Sequence, residues 1–110
     1  MIKKDYEVIA DYYGYEPQSR QLIEEMAELT VALNKFWRCT GRMESITGKP
    51  TSQFFYAEEL TEKENIIEEI ADVEVMLAQI KYLLFCEDKV EEIKRKKINR
   101  QLQRMKGGLL

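Results

Sequence analysis

The sequence predicts an all-α protein, a bundle of about four helices. Apolar residues return every three to four positions over long stretches, and nowhere do apolar and polar residues alternate with the period of two that marks a strand. Five glycines and two prolines in 110 residues leave too few chain breakers for a fold of many short elements. A composition of 45% hydrophobic and 34% charged residues fits a helical domain in water. The length fits one domain over residues 1–110, with a modest core to which a partner subunit can add.

The elements follow in order. Ile2, Tyr6, Ile9, Ala10 and Tyr13 share one face of a short helix from about Lys3 to Tyr13, which covers the core and stops at Gly14. Pro17 fits the first turn of a second helix that runs to about Arg38 and is ended by Thr40-Gly41. Residues 42–60 contain Gly48, Lys49-Pro50 and Thr51-Ser52 and read as a connection, with a helical turn through Phe54, Phe55 and Tyr56. A connection of this length in a small domain is functional, mobile or engaged with another subunit, so the three aromatics serve a subunit contact or a lid. Thr61 with Glu64 forms a capping box that opens a central helix to about Phe85. Asp88 with Glu91 repeats the device and opens a last helix through Met105 to a Gly107-Gly108 stop. The short Cys86-Glu87 link predicts that the last two helices form an antiparallel hairpin.

Composition narrows the chemistry. With no histidine, imidazole bases, histidine zinc sites and Glu-x-x-His di-iron motifs are excluded. Cys39 and Cys86 stand in unrelated contexts without metal-ligand spacing and read as reduced structural thiols. No apolar run is long enough for a bilayer and no signal-peptide pattern follows Met1, which predicts a cytoplasmic protein with no membrane partner. The net charge of −3 is segregated, with acids gathered from Glu58 to Glu74 and a basic last helix carrying Lys94 to Lys97, Arg100, Arg104 and Lys106.

The two long helices carry the informative pattern. Leu22, Met26, Leu29, Leu33 and Phe36 form an apolar stripe flanked by Glu25 and Glu28; Ile66, Ile70, Val73, Leu77 and Ile80, each 44 residues later, form another flanked by Glu69 and Asp72. Carboxylates three apart are neighbours on one helix surface, and these lie at the edge of the apolar stripe, where a cleft forms when helices pair. One such pair is ordinary surface charge; two in the same phase, with no basic residue four positions after Glu25, Glu28 or Asp72, point to a shared site. Four carboxylates together repel unless some stay protonated or a cation intervenes. Oxygen ligands without histidine or thiolate favour Mg2+ or Mn2+, which commonly bridge carboxylates to substrate phosphates.

Glu24-Glu25-Met26-Ala27-Glu28 followed by Glu69-Ile70-Ala71-Asp72 resembles the EExxE and ExxD signature of the MazG-like all-α nucleoside triphosphate pyrophosphohydrolases. The similarity extends over most of the chain, from YYGYEPQ through both acidic helices to the basic last helix. The resemblance implies a helical bundle completed by oligomerisation, as a homodimer or homotetramer, and magnesium-dependent cleavage of a nucleoside triphosphate between its α and β phosphates. It implies Glu25, Glu28, Glu69 and Asp72 as metal ligands, with Glu24, Glu25 and Glu69 as the catalytic carboxylates and Glu24 either supporting the ligands from behind or orienting the attacking water. It also implies phosphate contacts from Lys97 and Arg104, with Gln101 standing where the family has asparagine and Asn99 nearby. Asn34, Lys35 and Trp37, two to three turns beyond the first acid pair, are candidates for holding the base, by stacking and edge contacts, against the commoner reading of Phe36 and Trp37 as core residues. Two other function classes compete: a non-catalytic helical adaptor, and a nucleic-acid binder using the last helix. The acidic balance and the interruption by Glu91 and Glu92 argue against nucleic acid.

Overall fold

The computed structural model describes residues 2–44 and 57–109. They form four helices and no strand: α1 (Asp5–Tyr13), α2 (Tyr15–Glu44), α3 (Ala57–Leu83) and α4 (Glu87–Leu109). The expected turn through Phe54, Phe55 and Tyr56 lies outside the described residues.

α1 ends as its glycine predicts. Gly14 takes φ +83°, a left-handed conformation that costs glycine little, and its N–H closes the helix onto the Ala10 carbonyl at 2.8 Å. At the other end the Lys4 N–H donates to the Glu7 carboxylate at 2.8 Å. Ala10 is fully buried, and α1 is fastened to α3 by polar contacts. Tyr82 donates to Asp11 at 2.8 Å, Lys3 pairs with the same carboxylate, and the Tyr6 and Tyr82 rings meet edge to face at 6.4 Å.

Three helix boundaries differ from expectation, for one reason: good helix formers outweigh isolated stop signals. α2 continues through Thr40-Gly41 to Glu44, since Arg42, Met43 and Glu44 all favour helix and a single glycine costs only about 1 kcal/mol. α3 starts at Ala57, placing Thr61 and Glu64 inside the helix instead of at its cap; the run Ala57-Glu58-Glu59-Leu60 is strongly helix-favouring. Residues 42–44 and 57–60 are therefore helix and not connection. α4 runs through Gly107 to Leu109, because glycine permits a stop without enforcing one.

The turn from α3 to α4 is a Schellman closure, with Cys86 N–H on the Lys81 carbonyl and Phe85 N–H on that of Tyr82, both at 3.1 Å. Phe85 occupies the left-handed position at φ +53°, where glycine is usual, and its ring is 92% exposed. α4 does not fold back on α3 as the expected hairpin. Among the described residues its backbone approaches α3 alone, every residue from Ile93 to Gly107 is exposed, and the radius of gyration of 18.3 Å exceeds the roughly 13 Å of a compact chain of this size. A tight turn sets the direction of the next helix but supplies no apolar contact to hold it against its neighbour.

The core lies between α2 and α3, the most extensively packed pair, where Ala32, Val73 and Met76 are buried with Gln18 and Gln79. Two of the five residues of each predicted stripe, Met26 and Leu33 on α2 and Ile70 and Leu77 on α3, stay substantially exposed. No helix among the described residues is long and apolar enough to cross a membrane. Cys39 and Cys86 form no disulfide.

Candidate metal centre

α2 and α3 run antiparallel, so residues late in α2 share a groove with residues early in α3: Glu28 with Glu69, and Lys35 with Glu62. The crossing brings the two acid pairs together. Glu25, Glu69 and Asp72 each offer a carboxylate oxygen, all within 4.8 Å of one another, the first two half-buried and the third exposed. Glu28 joins them. The negative charge of Glu25, then that of Glu69, raises its carboxyl above the ordinary 4.5, aided by burial and by hydrogen bonds to both. With all carboxyls ionised no donor stands between them; a proton on Glu28 provides one.

The donor set fits a hard divalent cation. Glu25 Oε2 and Glu69 Oε2 are buried with no partner beyond what a protonated Glu28 supplies, an arrangement that is expensive for carboxylates unless a cation or that proton satisfies them. Glu25, Glu69 and Asp72 would hold such an ion, their oxygens drawing in from separations of up to 4.8 Å to about 3–4 Å to share it. The Gln21 amide donates to Glu25 Oε1 at 2.8 Å and holds that carboxylate in place, the orienting role outer-shell groups play at metal sites.

From the acids a groove of about 330 Å3 runs along the helix pair. Ala27, Val31 and Ala32 give it an apolar floor, and Lys35, Glu62 and Asn65 line its far part. Asn65 Nδ2 lies 3.4 Å from Glu62 Oε2.

Of the residues singled out in the sequence, Glu25, Glu28, Glu69 and Asp72 converge and Lys35 lines the adjoining groove. Glu24 is exposed and outside the cluster of ligand oxygens. Asn34 and Trp37 are exposed, Trp37 by 58%, and neither lines the groove; Trp37 is nine residues from Glu28, half a revolution around α2. Lys97 and Arg104 sit exposed on α4, whose backbone approaches neither α2 nor α1.

Gln21, Glu62 and Asn65 were missed, though their spacing carried a signal. Shifting by 44 positions takes Gln18 to Glu62, Gln21 to Asn65, Glu25 to Glu69, Glu28 to Asp72 and Lys35 to Gln79. The correspondence thus extends two turns beyond the acids in each direction. Comparison of the chain with protein-family models, with curated proteins and with solved structures finds no match.

Proposed function

We propose that this chain is a magnesium-dependent nucleoside triphosphate pyrophosphohydrolase of the MazG-like type, cleaving a (deoxy)nucleoside triphosphate to the monophosphate and pyrophosphate. The observation that carries the reading is the convergence of Glu25, Glu69 and Asp72 oxygens within 4.8 Å, with Glu28 alongside. Four acids from two helices, with buried oxygens, are costly to assemble without a cation. Magnesium or manganese held there screens phosphate charge and lowers the pKa of a bound water. The chain's part is to hold and orient: Glu25, Glu28, Glu69 and Asp72 as ligands, Gln21 fixing Glu25, and the groove beside them taking the rest of the nucleotide. Water attacks the α phosphorus, the bond to the α–β bridging oxygen breaks, pyrophosphate leaves with that oxygen, and the water's proton passes to solvent.

The working form in this reading is a cytoplasmic homodimer or homotetramer. Support comes from the exposed Ile98, Leu102 and Met105 on α4 and the half-covered stripes of α2 and α3, apolar surface of the kind a second copy buries. Such an assembly is also the route by which Lys97 and Arg104 reach phosphates. The solitary basic α4 equally favours a second reading, a non-catalytic adaptor that binds a partner through that helix.

Pyrophosphate release with Mg2+ and a panel of triphosphates separates the two. Glu69→Gln is expected to lose more than the roughly 10–100-fold that an outer-shell change costs, the effect expected for Gln21→Ala. Absence of release from every triphosphate, or full activity in Glu69→Gln, overturns the hydrolase reading.

A further inference from the structure

The groove does more than continue the acid cluster; its far part has the polarity of a base-reading site. Glu62 lies seven residues from Glu69 on α3, and Lys35 seven from Glu28 on α2, so both stand roughly 10 Å along the helices from the acids. Between them Ala27, Val31 and Ala32 offer an apolar floor for a flat ring. Asn65 directs one amide N–H toward Glu62 Oε2, which leaves Glu62 Oε1 and Asn65 Oδ1 as acceptors, and the Lys35 ammonium with the second Asn65 N–H as donors.

That donor and acceptor pattern discriminates among bases. Guanine presents two adjacent donors, N1–H and the exocyclic amine, beside the O6 and N7 acceptors that lysine contacts favourably. Adenine sets an unprotonated N1 against the carboxylate. Uracil and thymine flank their single N3–H with two carbonyls, and cytosine has only its amine to offer. We propose that the groove between α2 and α3 takes the base of the nucleotide and prefers guanine, with Glu62 accepting from N1–H and the amine and Lys35 donating to O6. This rests on the nucleotide pyrophosphohydrolase reading. It adds a selectivity that neither the acid motifs nor the exposed Trp37 supplies.

Two measurements keep the assignment separable from the hydrolase reading. In turnover with Mg2+, kcat/KM for GTP should exceed that for ATP, CTP and UTP by about fivefold or more, the low end of what one bidentate pair contributes. The preference should collapse in Glu62→Gln through KM, and weaken in Asn65→Ala. In titration calorimetry with Mg2+, GMP should bind the wild type more tightly than AMP by a similar factor, without any turnover. Hydrolysis with equal efficiency on all four bases, or a GTP preference unchanged in both variants, overturns the base assignment and leaves the hydrolase standing. Selective GMP binding without hydrolysis of any triphosphate overturns the hydrolase and upholds the groove. No selectivity in either measurement overturns the assignment.

Discussion

The two ends of the α2–α3 pair make an instructive contrast. They are built from corresponding residues: Gln18 and Gln79 at one end match Glu62 and Lys35 at the other, 44 positions apart, with the acids between. At the first end α1 docks through Ala10 and the Asp11–Tyr82 hydrogen bond, and Gln18 and Gln79 are only 6% and 2% exposed. At the second end nothing among the described residues covers the pair, and Lys35 and Glu62 line an open groove. Neutral amides stand where the bundle is closed and charges where it is open, as the cost of burying an unpaired charge requires. The closed end is packed and neutral, and the open end is a charged groove.

The sharpest way to break the contrast is to exchange the residue types. Gln79→Lys places a charge in the closed end and should cost about 3 kcal/mol in urea denaturation, whereas Lys35→Gln at the open end should stay within about 0.5 kcal/mol. Comparable losses at both ends would mean that the groove is covered in solution.

α4 provides the next test, as a surface that is open without being acidic. Leu102→Glu should shift light-scattering mass toward the monomer while leaving far-UV circular dichroism unchanged. A wild type that is already monomeric at every concentration removes the proposed assembly.

A smaller effect concerns protons. The Glu28 carboxyl is raised when folded, so its contribution to stability is present below 4.5 and is lost as pH rises through the folded value. Melting temperature of the metal-free protein should therefore climb as pH falls from 7 toward 4.5, and Mg2+ or Glu28→Gln should flatten that climb. Asp11 has the opposite sign. Held low first by its hydrogen bond from Lys3 and then by Tyr82, it stabilises above 3.8 and releases α1 as pH falls through its depressed value. The climb should therefore turn over in strong acid, and turn over less in Asp11→Asn.

Phe85→Gly should have the smallest effect, a gain of about 1 kcal/mol or less. It relieves a left-handed phenylalanine that packs on almost nothing, offset in part by the freer unfolded chain. A loss of stability there would assign the exposed ring a contact in the assembled protein.

Much was legible beforehand. The all-α class, the Gly14 stop, the two long helices and the convergence of Glu25, Glu28, Glu69 and Asp72 follow from residue spacing, because about 100° of rotation per residue decides which side chains share a face. The same arithmetic puts Asn65 and Glu62, one and two turns before Glu69, on that face, a signal that the acid pattern overshadowed. Other features depended on contacts between segments distant in sequence. Gln79 and Lys35 occupy matching positions, yet one is buried in the packed pair and the other lines an open groove. α4 carries the apolar residues Ile98, Leu102 and Met105, yet it leaves the bundle and takes Lys97 and Arg104 with it. An amphipathic helix records that it has an apolar face; whether that face is covered by its own chain, by a second copy or by nothing is set by long-range packing, which local periodicity does not encode.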